Sequence, residues 1–332
     1  MFPADLVLEV ANLLPDAVID GGWGVDALAG RQSRVHSDLD LVAAAASEPI
    51  DRLGVLGFTV ELEDLPMRVV LVDDHEHHVD VHLVDEHNVQ VVPNGGAFTY
   101  PPTSALGSID GAAVRCLLPD VQVLAHGQYE PDADDRHDMA IVASTGVALP
   151  PPYAPTLSDA LVRDAVDADF AALVVVRLRS WRAAYRGGII PDAVIDSIDI
   201  GAAWRHRRDA WHRGETVVVV LGPPGEVHGY ALATIDDVAG SGARAPREAE
   251  VHQLYLDPTV MGGGHGAAVL DAAVERLRGL GHDDVTLWTV DGNARARRFY
   301  EREGWHLDGG DRVEHHERGS WRSVRYRLHV GS

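Results

Sequence analysis

The 332-residue sequence contains no lysine: all 28 of its basic residues are arginine. That absence fits GC-rich codon usage rather than a mechanism. The one cysteine, Cys116, excludes an internal disulfide and suits a reducing cytoplasm, where a buried structural thiol is its expected role. No apolar run approaches the ~18 residues of a membrane span, so no membrane partner is expected. The first twenty residues carry early acids and no basic segment, so no signal peptide is expected. Positive charge is scarce in the first half. Residues 1–150 hold 6 arginines against 25 acids, −19. Residues 151–332 hold 22 against 26, −4, for a total of −23. The first half lacks a basic footprint, which argues against nucleic acid as its partner. Metal ions and cationic small molecules suit it better, although an acidic surface that only keeps the chain soluble has the same composition.

What is present is material for two cores: 46% of the residues are hydrophobic, in a length natural for two domains. The composition breaks at "ALPPPYAPTLSD", where four prolines predict a stiff linker. The expected organisation is a domain over residues 1–147, a linker over 148–157 and a second domain over 158–332. Both halves mix strands and helices, an α/β (α+β) pattern. In the first, "AVIDGG" reads as a short strand ending in a glycine pair, "WGVDALAG" as a short helix, and "SDLDLV", "FTVEL", "MRVVLVD" and "HHVDVHLV" as strands. In the second, a strand and helix precede a hairpin, "ETVVVVLG" with "VHGYALATID". The strand "AEVHQLYLD", the helix "HGAAVLDAAVERLRGLG", the strand "DVTLWTV", the helix "NARARRFYEREG" and the strand "SVRYRLHV" follow.

The segment "RVHSDLDLV" places Asp38 and Asp40 two apart between apolar residues. In a strand they share one face while Leu39 and Leu41 take the other. Asp80, between Val79 and Val81, is a third acid on a polar strand face. Carboxylates held this close repel one another. A hard divalent cation makes the arrangement favourable, because Mg²⁺ takes oxygen ligands and shares its shell with substrate phosphates. His75, His77, His78 and His82 cluster around Asp80, either as transition-metal ligands or as solvent-facing strand and turn residues.

With its glycine pair, short helix, Asp-x-Asp strand and later strand carboxylate, "GGWGVDALAGRQSRVHSDLDLV" resembles the nucleotidyltransferase superfamily related to DNA polymerase beta. The likeness is to its aminoglycoside and lincosamide branch and extends over about residues 1–146. It implies transfer from ATP or another NTP to a hydroxyl of a small molecule. Asp38, Asp40 and Asp80 would bind Mg²⁺, with Asp80 a ligand or the general base. Gly21 and Gly22 would let the backbone approach the triphosphate, and Arg34 would either neutralise phosphate charge or form a surface ion pair.

The second half holds "LDPTVMGGGHGAAVL", a glycine-rich turn between a strand and a helix. Inward amides and a helix N-terminus make a pyrophosphate cradle. A dinucleotide fold is disfavoured, because the turn comes late and no acid stands in a clear strand-end position about 20 residues on. Taken with "NARARRFYEREGW", the turn resembles the GNAT acetyltransferases, over residues 158–332. The resemblance implies acetyl-CoA held at Leu256, Met261, Gly262, Gly263, Gly264, His265, Gly266, Asn293 and Tyr300. Met261 stands where the family usually has Arg or Gln. Tyr300 would protonate the departing thiolate. Glu250 is the preferred base for the acceptor amine, with His252 the alternative on the same strand face. Trp181 and Tyr185, four apart, either line the acceptor pocket or pack in the core.

The expectation is a cytoplasmic bifunctional transferase that modifies a small cationic or hydroxylated molecule of the antibiotic class. The alternative keeps only the acetyltransferase active, with the first domain degenerate or a nucleotide sensor.

Overall fold

A computed structural model describes residues 1–157, 161–234 and 248–330. Ser158, the expected first residue of the second domain, lies outside the described residues. The chain divides into two compact units: Met1–Val147 with Asp199–Ala203, and Ala148–Ile198 with Trp204–Ser332. Each has its own seven-stranded sheet. No helix among the described residues is long and apolar enough to cross a membrane.

In the first unit the strand order is Thr59–Asp64, Arg68–Val72, His78–Val84, Asp38–Ala44, Val18–Ile19, Ala112–Cys116, Ala105–Ile109. The alternation in Asp38–Ala44 and His78–Val84 sends Leu39, Leu41, Val79 and Val81 into the core with Trp23, Val69 and Leu71. The two strands pair in parallel with Asp40 directly opposite Asp80. One departure from the sequence reading lies at the glycine pair. Gly21 and Gly22 open the helix Gly21–Ala29 rather than end a strand, and Asp20 is its N-cap, accepting from the Gly21 amide at 2.6 Å. Gly30 closes the helix at φ 68°.

In the second unit the order is Val162–Asp164, Thr216–Leu221, Gly229–Thr234, Glu248–Leu256, Asp284–Val290, Gly319–His329, His306–His316. The central parallel pair, Glu248–Leu256 and Asp284–Val290, is joined only as far as Val251 opposite Leu287. Beyond that point each strand continues to pair with its other neighbour, to Leu256 and Val290 respectively. The sheet therefore opens between two central strands, and unpaired backbone and side chains face the gap. Arg179, from the helix Phe170–Tyr185, holds the fully buried Asp257 at 2.6 Å, and Asp257 accepts from the Thr259 amide and hydroxyl. This fixes the chain just before the glycine turn. Ala148 and Leu149, at the start of the proline-rich segment, are buried and hydrogen-bonded to Ala168 and Gly225. The strand His306–His316 was not read from the sequence. It is an edge strand, exposed on both faces, and interrupted by Gly309 and Gly310 where its register shifts.

Candidate active sites

The first site lies where the two parallel strands face each other. Ligand atoms of Asp40, Asp80 and His82, all half-buried, come within 4.8 Å of one another. Asp80 Oδ2 accepts from Arg68 Nη1 at 2.6 Å, while Asp80 Oδ1 is buried and makes no hydrogen bond among the described residues. Burial first, then repulsion by Asp20, Asp38 and Asp80, pushes the Asp40 carboxyl well above the usual carboxylate range; Arg34 opposes this. The sequence reading singled out Asp38, Asp40 and Asp80. Asp38 is exposed, accepts from Ser37 Oγ at 2.9 Å, and stands outside the 4.8 Å group while still repelling Asp40. His82 was read only as one of four histidines near Asp80, either metal ligands or solvent-facing residues; of the four it alone joins the group. Asp20 and Arg68 were missed. Asp20 had a visible signal, an acid immediately before a glycine pair that opens a helix. Arg68 had none, because its approach to Asp80 depends on strand pairing.

The glycines are explained by contact. Gly21 has φ 57°, and a Cβ there would lie 2.2 Å from Asp40 Oδ2. A Cβ at Gly22 would lie 2.4 Å from Arg34 Nη2 and 2.5 Å from His36 Nδ1. Arg34 is held by Asp138 through two hydrogen bonds of 3.0 and 2.8 Å and by Asp134 at 3.3 Å. Of the neighbouring histidines, His77 bonds Asp73 at 2.8 Å, His78 meets Glu61 at 3.2 Å, and His75 is exposed.

The donor set fits a divalent cation: an unpartnered carboxylate oxygen, a second carboxylate opposite it, and mutual repulsion that a cation relieves.

The second site is a cleft of about 710 Å³ at the opening of the second sheet. Met261, Gly262, Gly264, Gly266 and Leu256 line one part of it. Gly262 and Gly264 have φ 96° and 82°, and no atom lies within 4 Å of where their Cβ would stand, so the loop surface is open. Gly264 is the N-cap of the helix His265–Gly279, whose first amides point toward the loop. Gly263 packs under His265, where an added Cβ would meet Nε2 at 2.8 Å. Asn293 caps the helix Ala294–Arg302, accepting from the Ala296 amide at 3.1 Å and donating to the Tyr185 hydroxyl at 3.2 Å. Tyr300 lines the cleft and is nearly buried; burial, with Tyr185 and Tyr255 nearby, pushes its phenol up and keeps it protonated. Arg295 and Arg302 also line the cleft, cations that the sequence reading had not placed there.

At the other part, Glu250 and His252 lie 3.1 Å apart. They share the site although the chain bulges there, since Leu232 pairs with Gln253 and Ala233 with Val251, leaving His252 the extra residue. Trp181 donates to the Tyr255 hydroxyl at 2.8 Å and stands edge-on to Tyr185 and Trp321. Trp181, Tyr185 and Trp321 also pack on Ile190, Val194 and Ile195, so they serve core and cleft together.

Comparison with known proteins assigns both units. Residues 6–142 match the family model of aminoglycoside-2''-adenylyltransferase, and residues 179–305 match the acetyltransferase (GNAT) family. The first part is similar to a lincosamide resistance protein of Staphylococcus haemolyticus, 29% identical over 128 residues, 36% of this chain and 80% of that one. The second is similar to a mycothiol acetyltransferase of Salinispora arenicola, 34% identical over 103 residues, 30% of this chain. That match spans only 32% of the relative's length. Among solved structures, a lincomycin-bound lincosamide antibiotic adenylyltransferase is 25% identical and covers 42% of this chain and 94% of its own, with TM-score 0.38. The chain thus carries an aminoglycoside adenylyltransferase-like domain followed by a GNAT acetyltransferase domain, both of them enzyme families.

Proposed function

We propose that the protein is a bifunctional transferase acting on small molecules of the antibiotic class. The first domain transfers a nucleotide from an NTP to a hydroxyl, and the second transfers acetyl from acetyl-CoA to an amine. The observation that carries this reading is the state of the carboxylates: Asp40 and Asp80 remain opposed, strained by repulsion and short of one partner. A degenerate domain would have relieved that cost by substitution.

In nucleotide transfer the acceptor oxygen bonds to the α-phosphorus as the bond to pyrophosphate breaks. Mg²⁺, when bound, would neutralise charge on the phosphates and the attacking oxygen. Asp40 and Asp80 would hold it, and Asp38 stands beside them for a second ion or the triphosphate. Arg68 pairs with Asp80 at 2.6 Å and holds that carboxylate in place. In acetyl transfer the acceptor nitrogen attacks the thioester carbonyl, the C–S bond breaks, and Tyr300 gives its proton to the thiolate. Glu250, directly or through water, takes the proton from the amine. The loop amides at 262–266, with Arg295 and Arg302, suit the cofactor's phosphates. The aromatic wall of Trp181, Tyr185 and Trp321 suits the apolar body of a cationic acceptor.

The test is mass spectrometry of an aminoglycoside and lincosamide panel, supplied with Mg²⁺–ATP or acetyl-CoA separately. A nucleotide adduct with one cosubstrate and an acetyl adduct with the other support two activities. An acetyl adduct alone, with no nucleotide transfer to any acceptor, would leave the first domain as a sensor or relic.

A further inference from the structure

We propose that His82 is a nitrogen ligand in the metal site of the first domain, so that the site binds a first-row transition ion such as Mn²⁺ more tightly than Mg²⁺. The inference rests on the nucleotidyltransfer reading of Asp40 and Asp80 and adds a residue and a metal preference to it.

His82 lies on the same strand face as Asp80, two residues on, and its ring nitrogen falls within 4.8 Å of both carboxylates. The other three histidines of the cluster are turned elsewhere: His77 to Asp73, His78 to Glu61, His75 to solvent. Nδ1 of His82 is 2.8 Å from the amide of the buried Gln90, so Nε2 is the nitrogen left for a metal. Gln90 is held in turn by the buried Tyr100, whose hydroxyl lies 3.2 Å from the Gln90 amide.

This chain can serve either tautomer. With the amide nitrogen toward the ring, Gln90 donates to Nδ1 and the proton sits on Nε2. With the amide rotated by half a turn, Gln90 gives up its 3.4 Å bond to the Met67 carbonyl, Oε1 accepts from Nδ1–H, its nitrogen donates to the Tyr100 oxygen, and the Nε2 lone pair is free. Such a partner on the second nitrogen is what orients a metal-binding histidine. An aliphatic side chain at position 90 would have packed the same space without it.

The three donors are then Asp80 Oδ1, an Asp40 oxygen and His82 Nε2. Two carboxylates and an imidazole make a mixed oxygen–nitrogen set. Imidazole adds little for Mg²⁺, which demands oxygen, but strengthens binding of first-row ions.

The experiment uses the full-length apo protein. Free Mn²⁺ is followed by its EPR signal during titration, Mg²⁺ affinity is obtained by competition, and pulsed EPR on bound Mn²⁺ detects coupling to ¹⁴N. The expected result is Mn²⁺ bound at least about tenfold tighter than Mg²⁺, with ¹⁴N modulation. In His82→Ala the modulation disappears and the Mn²⁺ affinity falls about tenfold or more, while Mg²⁺ affinity changes little. Bound Mn²⁺ without ¹⁴N modulation in the unsubstituted protein overturns the proposal while leaving the carboxylate site intact, and needs no variant to fold. Modulation that survives His82→Ala also overturns it. Failure of both ions to bind overturns both this proposal and the nucleotidyltransfer reading beneath it.

Discussion

Asp40→Asn should stabilise the metal-free protein while destroying nucleotide transfer. Oxygens of Asp40 and Asp80 lie within 4.8 Å, and like charges at that distance repel by about 3 kcal/mol at an effective dielectric of roughly 20. Arg68, at 2.6 Å from Asp80, offsets part of this, and partial protonation of Asp40 offsets more. The expected gain is about 1–3 kcal/mol at pH 7, or about 2–10 °C in the transition of a domain of roughly 150 residues. The sign with pH follows from the raised pKa. Folded Asp40 holds its proton to higher pH than the unfolded chain does. Its destabilising effect is therefore fully present above the folded pKa and vanishes as pH falls toward the unfolded value. The melting difference between Asp40→Asn and the unsubstituted protein should thus shrink as pH is lowered. Added Mg²⁺ should reverse the order, raising Tm of the unsubstituted protein and leaving the variant unmoved. Differential scanning calorimetry in chelator-treated buffer over a pH series reads all of this. A lower Tm for Asp40→Asn at pH 7 without metal, or a difference independent of pH, would refute the reasoning.

Gly21→Ala brings a Cβ to 2.2 Å from Asp40 Oδ2 at a residue with φ 57°, so divalent-ion binding measured by calorimetry should be lost with the fold retained by circular dichroism. Tyr300→Phe removes only the phenolic proton; kcat for acetyl transfer should fall ~10²–10⁴-fold while the Kd for acetyl-CoA stays near its original value. A wild-type rate would make Tyr300 a packing residue. Acetyl-CoA at about 100 times its Kd should stabilise the second domain by about 2.7 kcal/mol, and an unchanged melting curve at millimolar ligand would show that the glycine loop is not a cofactor cradle. Arg179→Met leaves Asp257 buried and short of its cation; urea unfolding should show a loss of about 3–5 kcal/mol, and a loss below about 1 would mean the pair is solvated.

Sequence alone determined the two kinds of unit, the carboxylate strand and the glycine turn. These are local patterns: alternation in Asp38–Ala44 places two acids on one face, and a glycine run between a strand and a helix frees amides wherever it occurs. Tertiary structure decided which groups meet. Asp40 faces Asp80 because two strands forty residues apart pair in parallel register, and a shift by one residue would have turned Asp80 into the core. The same pairing brings in His82 and leaves Asp38 at the margin, while antiparallel pairing of Arg68–Val72 with His78–Val84 brings in Arg68. The glycine pair was read as space for phosphate; the fold adds that a Cβ at Gly21 would meet the Asp40 carboxylate, a contact between residues that only folding makes neighbours. In the second unit, the cleft exists because two central strands stop pairing after Val251 and Leu287. Side-chain alternation is a property of one strand and can be read along it. Strand pairing, and the place where it fails, depends on the partners' packing and is settled only when the whole sheet is built.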